Sequence, residues 1–384
     1  MKVSGAVALS AVLALAAACG SSSKSGGGGG LTLGLMGDLT GENSGIVIPI
    51  KNSAVLAVDQ YNATNPKTKV TLKFYDSQAK PDQATNLAKT AVKTDKIVGL
   101  IGPAFSGESA AVGPVLEEAK VPSISASATN AKLAGNGWKY WHRVIANDDV
   151  QGAGIGGFIT TGVGAKKVFI VSDNSTYGQP LAAKVQATVT AAGAQTQADV
   201  IDPKGSDYAS TVNKIKPFAP DAIFFGGYYA QAGKLVKQLR EAGVKARFLS
   251  GDGSLDKGLA AGATGTNADG SLIGCPCLID PTGTAGAASK TFADAYKAKF
   301  NADPAIYSAE AYDATNAFLA AIKAGNTTTD TINTYLSTIN LPGVSKTIKF
   351  KPTGEVDAND VYIYKVTGAT LPLLGNAGTA KVTP

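Results

Sequence analysis

The chain is poor in the residues that metal sites and many enzymes depend on. Among 384 residues there are one histidine, three cysteines, two tryptophans and two methionines, and only 17% of positions are charged. One histidine and three cysteines cannot furnish a four-ligand zinc site of finger-type spacing. The 35 Lys+Arg and 29 Asp+Glu leave a formal charge of +6. The basic residues are spread evenly, unlike the clustered cations of a nucleic-acid binder. With 44% apolar residues the chain is also not of disordered composition. Its length favours two domains at roughly 100–200 residues each, ample for real cores.

Glycine is plentiful at 45 residues, five of them consecutive at Gly26 to Gly30. They close an amino-terminal stretch laid out for export. Lys2 supplies a short positive start, and Val3 to Ala18 form an apolar, alanine-rich run. That run is short for a membrane span, which takes about 20 residues, but suits a signal-peptide core ending in small residues. Leu15-Ala16-Ala17-Ala18-Cys19-Gly20 resembles the lipobox of bacterial lipoproteins, with its leucine one place early. The resemblance implies a signal peptide over residues 1–18, lipid on Cys19 and a Gly/Ser linker over 19–30. The alternative is ordinary secretion, with Cys19 discarded or left as a free thiol. Cys275 and Cys277 then remain, in Gly274-Cys275-Pro276-Cys277. Outside the cell they oxidise, to each other in a small ring, or else lie as two buried thiols at a strand end.

From Leu31 onward, short apolar runs alternate with amphipathic ones. Strands are expected at Leu31–Met36, Val70–Tyr75, Ile97–Ile101, Ser123–Ser125, Lys167–Ser172, Ala222–Phe225 and Arg247–Ser250. Between them, Ile50, Ala54, Ala57 and Tyr61 fall on one face of a 3.6-residue helix. Similar faces run through Asp82–Thr94, Ser109–Ala119, Tyr177–Ala192 and Tyr229–Ala242. Strand–helix repetition with continuous apolar strands indicates parallel sheets covered on both faces. The pattern occurs twice, so the expected fold is α/β with two doubly wound, Rossmann-like lobes. The late helices, Ala287–Phe300, Tyr307–Lys323 and Thr328–Thr338, have few strands between them and must cover an existing sheet, expected to be the first. That makes the lobes discontinuous: residues 31–146 with 277–355, and 147–276 with 356–384.

The usual catalytic patterns are missing. A Ser-His-Asp triad would have to use His142, which sits beside aromatic residues and away from any serine elbow; it reads as a structural strand-end histidine. Gly152-Ala153-Gly154-Ile155-Gly156-Gly157 satisfies G-x-G-x-x-G but lies inside a helical stretch before a strand. A dinucleotide fingerprint must follow a strand and open a helix, so these glycines read as close helix packing. No cofactor, metal or enzymatic activity is expected.

Small polar residues instead gather where ligands bind in open α/β sheets, beyond the carboxyl ends of strands. The first-half loops, Gly102 to Gly107 and Ser125 to Thr129, offer hydroxyls and backbone N–H groups at helix starts, which suit an anion. The second-half loops, Asp173 to Tyr177, Gly226 to Tyr229 and Gly251 to Ser254, offer Tyr177, Tyr228 and one glycine-flanked carboxylate, Asp252. Together they describe a cleft for a small zwitterion, its carboxylate toward Ser106, Ser127 and Thr129 and its ammonium toward Asp252. Each residue also has a plainer reading. Ser106 and Thr129 could be helix N-caps, Asp252 a turn residue, and the tyrosines half-buried aromatics.

These loops carry a family resemblance. Gly34-Leu35-Met36-Gly37-Asp38-Leu39-Thr40-Gly41, Tyr75-Asp76-Ser77-Gln78-Ala79-Lys80-Pro81, Ile101-Gly102-Pro103, Tyr177-Gly178, Phe225-Gly226-Gly227-Tyr228 and Gly251-Asp252-Gly253 make up the match. Over about Leu31 to Lys365, the chain resembles the leucine/isoleucine/valine-binding class of substrate-binding proteins of ATP-driven importers. The resemblance implies the type I periplasmic-binding fold and an amino-acid ligand held between two lobes joined by a multi-strand hinge. It also implies delivery to an ABC permease by a monomer held at the outer face of the cytoplasmic membrane or in the periplasm. Ser106, Thr129 and the backbone around Ser127 would hold the ligand carboxylate, and Asp252, often Glu in the family, the ammonium. Tyr177 and Tyr228 would form aromatic walls, with Tyr307 near the side-chain pocket. Two departures stand out. Glu42-Asn43-Ser44-Gly45 lacks the aromatic that often covers the ligand, and Ala79 and Phe105 replace the first-lobe disulfide of some members. Phe105 therefore narrows or reshapes the pocket. A tethered ligand sensor on the same fold, and transport of an amide, urea or aromatic acid, are the alternative readings.

Overall fold

The computed structural model describes residues 30–382; the signal stretch, Cys19 and nearly all of the linker lie outside the described residues. Two parallel sheets organise the chain. The first takes its strands from the amino-terminal part: β1 (Leu31–Gly37), β2 (Val70–Asp76), β3 (Gly99–Ile101), β4 (Ser123–Ser125) and β5 (Trp141–Arg143), in the order β2-β1-β3-β4-β5. Helices α1 (Ser44–Ala63), α2 (Pro81–Lys93) and α3 (Ser106–Ala119) are its crossovers. Helix α2 begins where a helix should, with Pro81 in its first turn, where no N–H is needed, and Asp82 at the positive end of the dipole.

The second sheet follows α4 (Asp148–Thr161). It holds β6 (Lys167–Ser172), β7 (Gln195–Val200), β8 (Ala222–Gly226), β9 (Arg247–Ser250) and β10 (Leu272–Cys275), all parallel. Its connecting helices are α5 (Gly178–Ala191), α6 (Ala209–Phe218), α7 (Tyr229–Glu241) and α8 (Lys257–Ala263). Strands β6, β8 and β9 are buried almost throughout because helices cover both faces, which is why their central positions are apolar without alternation.

After β10 the chain returns to the first sheet through α9 (Ala287–Phe300), α10 (Ser308–Lys323) and α11 (Thr329–Thr338). Helix α10 packs on α1, β3 and β4, and its Phe318 ring fills the space above Gly99. A small antiparallel pair, β11 (Leu341–Pro342) and β12 (Thr347–Ile348), follows. The chain then crosses back and adds β13 (Tyr362–Lys365) and β14 (Leu373–Asn376) antiparallel to the edge at β10. The chain therefore passes between the sheets three times: at residues 144–147, after β10, and before β13.

At the first and third crossings an ion pair ties the strands together. The guanidinium of Arg143 is fully buried, pairs with Glu355, and donates to the carbonyls of Ala128 (3.2 Å) and Asn130 (2.8 Å). Asn147 Nδ2 donates to the same Glu355 carboxylate at 2.9 Å, while its Oδ1 caps α4 by accepting from Asp149 and Val150 N–H. The glycines of α4 serve packing: a Cβ at Gly152 or Gly156 would lie 2.6 Å from Lys184 or Thr188 of α5. His142 is buried, with Nδ1 against the Ser123 carbonyl and its ring against Phe350; burial lowers its pKa to about 4. Trp138 lies across Gly113 of α3, and Trp141 is buried on β5. Cys275 and Cys277, both buried, are bonded to each other at the end of β10.

Candidate ligand-binding site

In both sheets the strand order reverses beside a central strand, between β1 and β3 in one and between β6 and β8 in the other. Such switch points open crevices at the carboxyl ends of strands, and here the two sets of ends face each other. One crevice is lined from the first sheet by Ile46, Ala104, Phe105, Ser106 and Ser127, and from the second by Tyr177, Tyr228, Asp252 and Gly253, with Tyr307 from the start of α10. Ser106 and Asp252, chosen from separate halves of the sequence, thus look into the same space.

The first-sheet rim is built of hydroxyls and amides. Phe105 is the N-cap of α3 and Ser106 its first residue, so the loop ends on free N–H groups. Ser106 Oγ accepts from Asn130 N at 3.2 Å, and Ser127 Oγ donates to the Ala104 carbonyl at 2.7 Å. Glu108 holds the loop from below, its carboxyl accepting from Phe105 N (3.2 Å) and from the Ser77 hydroxyl. Burial raises the Glu108 pKa to about 7, against the pull of these donors. Thr129 is placed differently from its neighbours. It is fully buried beneath the rim, outside the crevice lining, with its hydroxyl beside the Asp148 carboxyl but not in a well-aligned hydrogen bond.

The second-sheet rim centres on Asp252, which is 3% exposed. Its carboxylate accepts from Tyr177 Oη at 2.7 Å, from the Tyr307 hydroxyl and from Gln151 Nε2; Gln151 also donates to the Gly274 carbonyl at 3.0 Å. Tyr177 Oη in turn accepts from Gly253 N at 3.0 Å. Burial raises the Asp252 pKa although all three donors favour the charged form. It raises Tyr177 and Tyr307 as well, with the Asp252 charge adding to the effect, so both stay protonated donors. A buried carboxylate that disfavours its own charge gains most from an incoming cation.

The rims touch. Phe105 meets Tyr228 edge to face with ring centroids 5.2 Å apart, Asn130 Nδ2 donates to the Thr176 carbonyl at 2.5 Å, and Gly45 N donates to Tyr229 Oη at 3.1 Å. They leave a cavity of about 10 Å³, space for roughly one water molecule. The Glu42 to Gly45 loop supplies this backbone contact and Ile46 instead of an aromatic cover. Gln151 and Asp148 carried no sequence signal, because polar residues in the first turn of a helix ordinarily face solvent. Both are buried, and neither oxygen of the Asp148 carboxyl has a hydrogen-bond partner. Burial, then the nearby Asp252 charge, pushes the Asp148 pKa well up.

Comparison with known proteins decides what this crevice belongs to. Residues 30–370 match the family model described as periplasmic binding protein. The chain belongs to the periplasmic binding protein family. Among relatives of this periplasmic binding protein, an "Amino acid binding protein" of Pseudomonas aeruginosa is 31% identical over 61% of the chain and 64% of its own length. A "Leu/Ile/Val-binding protein BraC3" of Rhizobium johnstonii is 29% identical over 87% of the chain and 91% of its own length. The crystal structure of the branched-chain amino acid transporter substrate-binding protein LivJ of Streptococcus pneumoniae, in complex with isoleucine, superposes with a TM-score of 0.81. It is 26% identical and covers 89% of this chain and 97% of LivJ. The fold is thus the type I periplasmic-binding fold of two α/β lobes, and the family is one of extracytoplasmic solute-binding proteins, not of enzymes.

Proposed function

We propose that this periplasmic binding protein captures a small α-amino acid, branched-chain or closely related, between its two lobes and presents it to an ABC importer. The observation that carries the reading is the pairing of opposite polarities across one crevice. The Ser106 hydroxyl and the N–H groups that open α3, with Phe105 and Ser127 beside them, suit a carboxylate, and Asp252, held by Gln151, Tyr177 and Tyr307, suits an ammonium. Phe105, Tyr228 and Ile46 give the apolar wall for the side chain.

The lobes are 31–146 with 277–355, and 147–276 with 356–384. Each rim alone offers half of the polar contacts, so a bound amino acid favours the closed arrangement over the open one. With rims that already touch, entry requires the lobes to part about the three crossings. The protein works as a monomer tethered through lipid on Cys19, for which Leu15 to Gly20 and the Gly/Ser linker speak.

A thermal-shift panel of amino acids, amides, urea and aromatic acids tests the reading. A ligand at about 100 times its Kd adds about 2.7 kcal/mol of stability. Small apolar amino acids should raise the melting temperature, while urea, amides and benzoate should not. A panel in which only carboxylic acids without an amine respond would remove the role given to Asp252.

A further inference from the structure

The polar ends of the crevice leave one way out for a ligand side chain. An amino acid with its carboxylate at Ser106 and its ammonium at Asp252 has its Cα between them, and its side chain leaves along the apolar wall of Ile46, Phe105 and Tyr228. Rings cross that wall in a line. Phe105 meets Tyr228 edge to face, Tyr228 lies against Tyr177, and Tyr177 Oη donates to Asp252. Only the first of these contacts joins the two rims: Phe105 caps α3 beside the first sheet, whereas Tyr228 and Tyr177 cap α7 and α5 beside the second.

Phe105 is firmly seated. Its N–H donates to Glu108 at 3.2 Å, and its carbonyl accepts from Ser109 N–H at 2.9 Å. Ala104 before it is held in the same way, donating to the Met36 carbonyl at 3.1 Å and accepting from Ser127 Oγ at 2.7 Å. The ring, 6% exposed, is left to move only about its own side-chain torsions. A ligand side chain long enough to reach it must therefore break the contact with Tyr228 and hold the rims apart. A short one lets the rims close as they stand, and closure is what brings both polar ends onto the ligand.

We propose that Phe105 is the specificity-determining residue of this crevice, selecting amino acids with short side chains, alanine above all, over leucine and phenylalanine. The inference rests on the reading that the crevice holds an α-amino acid, and narrows that reading to its short end. In an unobstructed apolar pocket each further methylene tightens binding by about 4-fold, so leucine would be held far more strongly than alanine. The Phe105 ring reverses that order. Between rims that meet, the space beside it is about 10 Å³, which leaves no room for an isobutyl group.

Calorimetric titration of the purified protein with L-alanine, L-valine and L-leucine tests this. The parent should bind alanine at least about 10-fold more tightly than leucine, with valine between. Phe105→Ala opens the wall and should shift the ratio of the two affinities toward leucine by about 10-fold or more. A ring with a merely structural role would change both affinities by the same factor. Phe105→Val removes less volume and should move the ratio the same way, which keeps the test available if Phe105→Ala does not fold. Leucine bound by the parent as tightly as alanine, or an unchanged ratio in Phe105→Val, would overturn the assignment and leave amino-acid capture standing. Failure of the parent to bind any of the three would instead sink amino-acid capture, and this inference with it.

Discussion

Tyr177 Oη stands between Asp252 and its own neighbour, donating to the carboxylate at 2.7 Å and accepting from Gly253 N–H at 3.0 Å. The phenol thereby fixes both the acid and the turn that carries it. A ligand ammonium approaching Asp252 meets an acceptor whose position is already set, which lowers the ordering cost of binding.

The acid itself is the first target. Truncation to alanine would leave the Tyr177 and Tyr307 hydroxyls as buried donors without an acceptor, so Asp252→Asn is the cleaner change. Loss of a charge-assisted hydrogen bond worth about 1.5–3 kcal/mol should weaken amino-acid binding by roughly 10- to 150-fold in calorimetry. Affinity equal to that of the parent would exclude an ammonium at this carboxylate.

Removing the Tyr177 hydroxyl should have a milder effect. Tyr177→Phe keeps the ring against Tyr228, 5.2 Å between centroids, but strips one donor from Asp252 and one acceptor from Gly253. We expect about 1 kcal/mol less stability in urea unfolding and a several-fold weaker ligand.

Glu108 should write itself into the pH dependence of stability. Its pKa rises from an ordinary 4.5 to about 7 in the folded chain, chiefly through burial, with Asp38 and Asp76 adding to the rise. The folded state therefore holds this proton more firmly than the unfolded state. Its stabilising contribution is complete below pH 4.5 and lost as pH climbs through 7, up to about 3 kcal/mol. Glu108→Gln should flatten that decline. Denaturant titrations at pH 5 and pH 8 measure the difference, and equal slopes for parent and variant would refute it.

Arg143→Met leaves Glu355 without its cation and the Ala128 carbonyl without its donor, while the Asn130 carbonyl keeps only the Leu133 N–H. A loss of about 3 kcal/mol is expected, read as a lower urea midpoint. Arg143→Lys should recover only part of it, because one ammonium cannot reproduce the planar fork.

How far residues alone foretold this structure depended on burial. Strands such as Lys167–Ser172 and Ala222–Gly226 announce themselves because both faces are covered and their middle positions form an apolar run. Strand β7, Gln195–Val200, does not: it pairs only with β6 at a sheet edge and its side chains are largely exposed, so it carries no apolar run. Helix α6 escaped for a similar reason, with three buried positions in ten. The crevice was legible where strand ends place it, from Ser106 through Asp252. Gln151 was not, because its contact with Asp252 joins residues 101 apart in sequence, and no local pattern records such a meeting. Nor does spacing distinguish Ser127, on the rim, from Thr129 two residues later beneath it.

The two indoles have a practical consequence. Trp138 over Gly113 and Trp141 on β5 both belong to the first sheet and its helices, whereas the rings around the crevice are Phe105, Tyr177, Tyr228 and Tyr307. Tryptophan fluorescence will accordingly follow the melting of one half of the molecule while staying nearly blind to ligand capture. Optical assays of binding must listen to tyrosine, or to a reporter introduced for the purpose.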